Sequence, residues 1–198
     1  MSILTELYHE IANCQACKEL SATRTNVVPG EGPETAQIVF IGEAPGFHED
    51  QQGRPFVGQA GQFLTELISS VGLKRSDVYI CNVIKCRPIE NRDPLPTEIK
   101  SCQKWLDAQL ELISPRIIVT LGRYSMAKFF PGSTISKIHG MARRENNVIY
   151  YPMYHPAAAL HQGSLRQTIE TDMRKIPELL AQIQETEKET RSQQLSMF

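Results

Sequence analysis

Short apolar runs alternate along the chain with longer segments in which apolar residues recur at helical spacing. Runs rich in β-branched and aromatic residues predict buried strands at residues 37–41, 78–83, 116–122 and 148–152. Helical spacing predicts helices over residues 3–13, 59–71, 97–114, 123–130 and 163–184, with Pro177 kinking or splitting the last one. The remaining polar stretches, residues 21–35, 48–58, 85–96 and 135–144, lack a clear period and predict loops.

Strands and helices alternate four times, and this alternation predicts a parallel sheet with helices on both faces. We therefore expect an α/β fold of three layers, α/β/α, with a four-stranded parallel central sheet. Residues 1–184 are expected to form a single domain, because a chain of 198 residues can bury one sizeable core. Residues 185–198 are mostly polar and charged, which predicts a flexible C-terminal tail.

Polar residues directly follow three of the predicted strands. The first strand leads into Gly42-Glu43-Ala44-Pro45-Gly46, the second ends at Asn82, and His155 follows the fourth. Ligands bind at the carboxyl ends of strands in open α/β sheets, so these side chains are expected to converge at one edge. Two plainer interpretations stay open: the glycine-rich stretch as an ordinary βα turn, and His155 as a core histidine that caps a strand.

Composition narrows the class of protein. The net charge of −1 gives no global sign of nucleic-acid binding, so any such contact requires a local basic patch. No apolar run approaches the roughly 18 residues of a membrane span, and the N-terminus lacks the features of a signal peptide. We therefore expect a cytoplasmic protein that does not enter a membrane.

Five cysteines are present, and cysteines in a reducing compartment are poor candidates for disulfides. Cys14 and Cys17 form a C-x2-C step at the end of a predicted helix. The chain can wrap around an ion there and direct both thiolates towards it. Ligation of a metal or a cluster is therefore the favoured interpretation.

Together these motifs resemble those of the family 4 uracil-DNA glycosylases, the iron–sulfur type. The resemblance covers about residues 10–175 and rests on Gly42-Glu43-Ala44-Pro45-Gly46, Glu49-Asp50, Gly53-Arg54-Pro55-Phe56-Val57-Gly58, Asn82-Val83-Ile84-Lys85-Cys86-Arg87-Pro88, Asn91-Arg92 and His155-Pro156. It implies a base excision repair enzyme that flips uracil out of single- or double-stranded DNA. Such an enzyme hydrolyses the N-glycosidic bond of uracil and leaves an abasic site.

The resemblance implies one structural four-iron four-sulfur cluster. The family's ligands correspond here to Cys14, Cys17, Cys86 and Cys102. Their spacing agrees with this, since two chain segments then supply four thiolates. Zinc in a four-cysteine site is the alternative. Cys81, which remains, is expected to be a packed structural thiol.

The resemblance also implies roles in binding the base. Phe56 is expected to stack on uracil, and Gly42 belongs to the same uracil-binding set. Asn82 is expected to read the base edge, because an amide donates to O4 and accepts from N3–H, whereas cytosine presents the opposite pattern. Glu49 is expected to crowd C5 and exclude thymine, and His155 to donate a hydrogen bond to O2 as negative charge develops there.

Activation of water is assigned to Glu43. Other branches of the superfamily carry an aspartate in the first motif where this chain has Ala44, so Glu43 is the only nearby acid in that stretch. It is expected to orient water or to stabilise the cationic sugar. The resemblance further implies that Asn91 holds Glu43 in place.

Contacts with DNA are expected from basic side chains near these motifs. The candidates for phosphate contacts are Arg54, Lys85, Arg87, Arg92, Arg143 and Arg144. For each of them, a plain solvated charge is the alternative. Leu160, His161 and Arg166 follow the His155 motif, and the loop between them is expected to wedge into the gap left by the flipped base, with Leu160 and Arg166 as DNA contacts.

The C-terminus resembles a short peptide by which bacterial proteins bind the sliding clamp of DNA polymerase. Its residues here are Gln194, Leu195, Ser196, Met197 and Phe198. An apolar tip on a polar terminal tether suits binding of a peptide in a groove, and a frayed end is the alternative. The protein is otherwise expected to be a nucleoid-associated monomer.

Two competing functions are weighed against excision of uracil. A branch of the superfamily that bonds covalently to DNA uses a histidine in an extra basic loop, and neither feature occurs between Cys86 and Pro96. A nucleotide-binding iron–sulfur redox protein would need a phosphate-cradling glycine motif, which this sequence lacks. Removal of other deaminated bases and the preferred strandedness of the DNA stay open.

Overall fold

The central sheet is built from the apolar runs of the sequence. The structure, a computed structural model, describes residues 2–183 and 185. Its strands are β1 (Ile38–Gly42), β2 (Tyr79–Asn82), β3 (Ile117–Leu121), β4 (Arg143–Glu145) and β5 (Val148–Met153). The order across the sheet is β2-β1-β3-β5-β4. The strands β2, β1, β3 and β5 are parallel to one another, which confirms the predicted four-stranded parallel sheet.

β4 is an additional edge strand that pairs antiparallel with β5, where the sequence predicts a loop. All three of its residues are exposed and charged, so it has no apolar period that could reveal it. A two-residue turn joins β4 to β5, and Asn146 in that turn has a φ of 53°. Asparagine tolerates this left-handed conformation and is typical of such hairpins.

Helices connect the parallel strands. They are α1 (Ile3–Ala12), α2 (Lys18–Thr23), α3 (Phe47–Gln52), α4 (Gln59–Ser70), α5 (Pro96–Ile113), α6 (Arg123–Phe129), α7 (Ile135–Ile138), α8 (Pro156–His161) and α9 (Ser164–Met173). α2, α3 and α7 occur within or overlap segments predicted as loops. They span six, six and four residues, too few to display a helical period.

The C-terminal helix is split into two segments, which is one of the two outcomes predicted for Pro177. α9 ends at Met173, and residues 176–183 are helical again after a short turn. Pro177 lies in the first turn of that second segment, where its missing N–H has no helical acceptor to lose. Pro177 therefore helps to begin a helix and does not kink one. The proposed clamp-binding peptide, residues 194–198, lies outside the described residues.

Apolar side chains of the sheet alternate between two cores. Ile38 and Phe40 pack on one face with α4 and α9, whereas Val39 and Ile41 pack on the other with α1 and α5. This arrangement confirms the three-layer α/β/α architecture. Cys81 is buried in the second core as a free thiol, as predicted. Within the described part of the chain, no helix combines the length and apolarity needed to cross a membrane.

Strand register brings the functional loops together. Gly42 at the end of β1 pairs with Asn82 at the end of β2. Leu121 at the end of β3 pairs with Met153 at the end of β5, and the N–H of Gly122 donates to the Met153 carbonyl at 2.9 Å. The chain segments that leave these four strands therefore meet at one edge of the sheet.

Candidate active site

A cleft of about 860 Å³ opens at this carboxyl edge. Glu43, Asn82 and His155 all line it, so the predicted convergence of the three polar residues is confirmed. The remaining lining residues are Ala44, Pro45, Gly46, Glu49, Phe56, Ala60, Pro88, Asn91, Arg92, Asp93, Gly122, Arg123, Ile135, Tyr154, Ala157, Ala158 and His161. Apolar walls with a few convergent polar groups are typical of a small-molecule site.

The side chains of Asn82 and Phe56, which line the cleft, pack closely over the backbone of Gly42. A Cβ atom added to Gly42 would lie 2.6 Å from Cζ of Phe56 and closer still to Oδ1 of Asn82. Asn82 is 2% exposed, and its Oδ1 has no hydrogen-bond partner among the described residues. A buried amide oxygen without a partner is costly, which suits an atom reserved for a ligand.

Phe56 is held in a strained conformation. Its φ is 51°, in the left-handed region, and its backbone packs directly against Gly61 of α4, where any side chain would collide. Arg75 secures this conformation with hydrogen bonds from Nη1 to the Phe56 carbonyl at 3.2 Å and from Nη2 to the Pro55 carbonyl at 2.5 Å. Arg75 also forms an ion pair with Glu31 at 3.0 Å.

Glu49 secures the same loop from the other side. Its Oε1 accepts hydrogen bonds from the N–H groups of Val57 and Gly58, both at 2.8 Å. Its Oε2 accepts from the N–H of Gly46 at 3.2 Å. The carboxylate therefore ties the loop after β1 to the loop that carries Phe56. The predicted crowding of C5 by Glu49 stays a prediction.

His155 begins α8 and stacks on Phe56, with ring centroids 5.5 Å apart and planes 30° apart. Its Nδ1 accepts a hydrogen bond from the N–H of Ala157 at 3.2 Å, so a neutral ring carries its proton on Nε2. Burial lowers the pKa of His155 to about 4, and the charge of Glu49 only partly opposes this. At neutral pH the ring is therefore an uncharged donor through Nε2.

Glu43 is half-buried in the cleft wall. Burial raises the pKa of its carboxyl group, Asp93 raises it further, and Arg123 opposes the change. Asp93 and Arg123 form an exposed ion pair at 2.5 Å on the cleft wall. Asn91 lines the same cleft, but among the described residues its Oδ1 accepts from Nε of Arg87 at 2.8 Å and is not bonded to Glu43.

The structure corrects the prediction that Lys85 contacts phosphate. Lys85 is 1% exposed, and its Nζ donates to the Asn82 carbonyl at 2.8 Å and to Oε1 of Gln109 at 2.6 Å. Gln109 in turn donates to the hydroxyl of Tyr79 at 2.8 Å. The ammonium group therefore belongs to a buried polar network that supports the end of β2.

Most other basic candidates lie at the surface in ion pairs. Arg54 pairs with Glu31, Arg92 with Glu19 and Glu98, and Arg166 with Glu66 and Glu170. Arg143 and Arg144 form the exposed β4, where Arg143 donates to the Phe129 carbonyl at 2.7 Å. Leu160 is 46% exposed on α8. Their predicted contacts with DNA stay predictions.

A second, smaller cavity of about 20 Å³ brings the predicted cysteine ligands together. Cys14, Cys17, Cys86 and Cys102 all line it. Nη1 of Arg24 donates to Sγ of Cys86 at 3.1 Å, and the indole N–H of Trp105 donates to Sγ of Cys14 at 3.4 Å. Burial raises the pKa of the Cys102 thiol to about 11.

The donors that line this cavity are four cysteine sulfur atoms, a set that suits an iron–sulfur cluster and zinc alike. In the part of the chain that the structure describes, no three cysteine, histidine or acidic side chains meet at a position that would hold one metal ion. Donors to the sulfur atoms, such as Arg24 and Trp105, are typical of such sites.

Sequence reasoning missed two parts of the site. Arg123 and Asp93 line the cleft, and Arg123 directly follows the glycine that ends β3. The rule that locates ligands at strand ends, applied to the third strand, would have indicated Arg123. Arg75 has no comparable signal, because it reaches Phe56 from 19 residues further along the chain.

Comparison with known proteins agrees with this geometry. The family model of the uracil DNA glycosylase superfamily matches residues 29–181. The type-4 uracil-DNA glycosylase of Sulfurisphaera tokodaii is 48% identical to this chain over 90% of the chain and 86% of its own length. The type-4 enzyme of Archaeoglobus fulgidus is 47% identical over 94% and 98%, and that of Thermotoga maritima 43% identical over 88% and 92%. The chain therefore belongs to the uracil DNA glycosylase superfamily and, within it, to the type-4 family.

Proposed function

We propose that the protein is a DNA repair glycosylase that flips uracil out of DNA and hydrolyses its N-glycosidic bond. The observation that carries this proposal is the unpartnered Oδ1 of Asn82 beside the ring of Phe56, in space left open by Gly42. The relatives, which are named as uracil-DNA glycosylases, support the same substrate.

Recognition of the base follows from the chemistry of the amide. Oδ1 of Asn82 accepts the N3–H of uracil, and the amide NH2 donates to O4. Cytosine offers an acceptor at N3 and a donor at the neighbouring position, so both groups of a buried Asn82 would be left unpaired. Phe56 supplies a flat apolar face for the ring, and Glu49 excludes the methyl group of thymine at C5.

Cleavage transfers charge from the sugar to the base. As the C1′–N1 bond breaks, its electron pair goes to the uracil ring and concentrates at O2. The Nε2–H of the neutral His155 donates a hydrogen bond there. Glu43 orients a water molecule towards C1′, and as the new C–O bond forms that water loses a proton to solvent, from which the released uracil anion takes up one proton.

The cysteine cavity is proposed to hold one structural four-iron four-sulfur cluster. Cys14 and Cys17 would hold it from the N-terminal segment, and Cys86 and Cys102 from the loop after β2 and from α5. The cluster would supply cross-linking of these segments, and the reaction itself uses no redox chemistry. Trp105 is the only tryptophan of the chain and lies against Cys14, so its fluorescence is expected to be quenched by the cluster.

Iron analysis and tryptophan fluorescence test the cofactor independently of activity. We expect about four irons per chain after anaerobic preparation, and brighter emission from Trp105 when the iron is removed. A colourless protein with one zinc ion per chain would instead support the four-cysteine zinc site.

The DNA interface is proposed to surround the cleft. Arg87, Arg92, Arg143 and Arg144 would contact phosphates, and the exposed Leu160 would fill the gap left by the flipped base. Single- and double-stranded substrates are both expected, since unstacking is easiest without a partner strand. Arg54 and Arg166 would also contact phosphates, and, like Arg92 and Arg143, each would first exchange its present carboxylate partner.

Residues 194–198 are proposed to bind the sliding clamp, because an apolar tip on a polar tether suits a groove. The protein would then act as a nucleoid-associated monomer in the cytoplasm. Removal of these five residues is expected to abolish clamp affinity and to leave excision by the free enzyme unchanged. Unchanged affinity for the clamp would refute the proposal that these residues bind it.

Single-turnover excision from U:G, U:A and single-stranded uracil tests the proposed function. We expect His155→Gln to slow excision by about 10²- to 10³-fold, the usual effect of losing a preorganised donor. Glu43→Gln is expected to slow it by about 10²-fold or more. If Glu43→Gln kept the full rate, Glu43 would have no role in the reaction, and most of the rate enhancement would come from stabilisation of the departing uracil.

A further inference from the structure

A large aromatic side chain is exposed next to Gly46, one of the residues that line the cleft. Phe47 is the first residue of α3 and is 52% exposed, although a phenylalanine usually gains by burial. The guanidinium of Arg87 lies 5.0 Å from the centre of its ring. His48 approaches the same ring edge-on, with centroids 5.5 Å apart. Phe47 is therefore held in place by polar neighbours while part of its ring stays open to solvent.

The position of this pair relates it to the cleft. Phe47 directly follows Gly46, which lines the cleft, but does not line the cleft itself. Arg87 precedes the cleft-lining Pro88, and its Nε donates to Oδ1 of the cleft-lining Asn91 at 2.8 Å. The pair therefore bridges the loops after β1 and β2 immediately outside the site of the flipped base.

We propose that Phe47, supported by Arg87, stacks on the base that neighbours the flipped uracil in the same DNA strand. Flipping removes one stacking partner from each neighbouring base, and an exposed aromatic ring beside the cleft can replace it. An aromatic ring beside an arginine is the combination with which proteins bind single strands, since the ring stacks on a base and the cation attracts the phosphate. The inference rests on the proposed function, because it requires a flipped nucleotide in the cleft.

The partner fits DNA better than another protein. The cationic Arg87 lies over the ring and donates to Asn91, which lines the cleft, so a polar surface runs from the ring to the cleft. The positive charge of Arg87 favours an anionic strand at this position. The ring then provides sequence-tolerant affinity, because every base has a flat face.

A thermodynamic cycle between protein and DNA tests the contact. The probe is a single-stranded oligonucleotide with 2′-fluoro-deoxyuridine, whose glycosidic bond resists cleavage. Its 5′ or 3′ neighbour is either an ordinary nucleotide or an abasic tetrahydrofuran. Dissociation constants are measured for wild type, Phe47→Ala, Phe47→Tyr and Leu112→Ala, the last as a control at another exposed apolar residue, on α5.

We expect Phe47→Ala to weaken binding of the intact probe by about 5- to 150-fold, the range for one stacked base. Removal of the neighbouring base on one side should weaken binding of the probe to wild type by the same factor. On that abasic probe, Phe47→Ala should bind no more weakly than wild type. Phe47→Tyr should restore binding, and Leu112→Ala should bind like wild type. The inference would be overturned if Phe47→Ala caused no loss of affinity. It would also be overturned if the loss were the same for the intact and the abasic probe, whether the missing base is the 5′ or the 3′ neighbour.

The cycle separates this inference from the proposed function. Binding uses a probe that is not cleaved, and excision of normal uracil by wild type is recorded in a separate reaction. If Phe47 and the neighbouring base are coupled but wild type does not excise uracil, the proposed glycosylase activity is refuted and the stacking contact is kept. Excision without coupling would refute the contact alone. Thermal melting of Phe47→Ala verifies folding, and Phe47→Trp provides a second aromatic variant if the alanine variant is unfolded.

Discussion

Replacement of Arg75 by methionine is expected to damage the uracil site although Arg75 does not line the cleft. The substitution removes the donors to the carbonyls of Pro55 and Phe56 and the ion pair with Glu31. Methionine keeps the apolar stem of the side chain, so packing changes little. The effect therefore reports the loss of the hydrogen bonds.

The magnitude follows from burial and from strain. A hydrogen bond from a charged donor contributes about 1.5–3 kcal/mol, and the side chain of Arg75 is only 20% exposed. Water can reach the freed carbonyls in part, so we expect the free energy of unfolding to fall by about 2–4 kcal/mol. The left-handed φ of Phe56 costs about 1–3 kcal/mol and would relax once its anchor is lost. The ring would then leave Asn82, and affinity for uracil-containing DNA should fall by roughly 5- to 30-fold.

Urea unfolding and binding to uncleavable uracil DNA measure both effects. Arg54→Met is the matched control for stability, because Arg54 shares the partner Glu31 but is 55% exposed, and among the described residues that surface pair is its ion pair. Such a pair contributes about 0–1 kcal/mol. If Arg75→Met lost no more stability than Arg54→Met and kept wild-type affinity for the DNA, Arg75 would not position the stacking ring.

Three further predictions use the charges of the site. Arg123→Met should move the acid limb of the excision rate to higher pH, and Asp93→Asn should move it to lower pH, because the two charges act oppositely on the carboxyl pKa of Glu43. Single-turnover rates measured against pH check this, and shifts of both variants in the same direction would contradict it. The free energy of unfolding should fall as pH falls from 6.5 to about 4, because His155 takes up a proton in the unfolded chain but not in the folded one. Urea titrations across this pH range should show a smaller fall for His155→Gln than for wild type. Lys85→Met should lower the free energy of unfolding by about 1–3 kcal/mol because two buried acceptors lose their donor. It should leave the salt dependence of DNA binding unchanged, and a shallower slope would restore Lys85 to the phosphate contacts.

The sequence predicts the parallel sheet and the meeting of Glu43, Asn82 and His155, because both follow from local apolar runs and from one rule of topology. It does not reveal β4, whose charged residues are exposed and whose pairing depends on the turn at Asn146. Short polar helices such as α3 are likewise hidden, since they lack a second turn of apolar residues.

Charge alone also misleads. Lys85 stands among basic residues in the sequence, but its acceptor Gln109 is 24 residues away and comes near only when α5 packs on the sheet. The anchoring of Phe56 by Arg75 depends on the same kind of long-range contact. Burial and partners of single polar side chains are properties of the tertiary fold, and no local pattern carries them.

The central claim is that the buried amide of Asn82 selects uracil, and one assay tests it directly. Single-turnover excision is measured from single strands that contain uracil or cytosine at the same position, with wild type, Asn82→Ala and Asn82→Asp. We expect wild type to remove uracil only, Asn82→Ala to lose about 10²-fold or more of that rate, and Asn82→Asp to lose its preference for uracil over cytosine. Wild-type rates and selectivity in both variants would contradict the account.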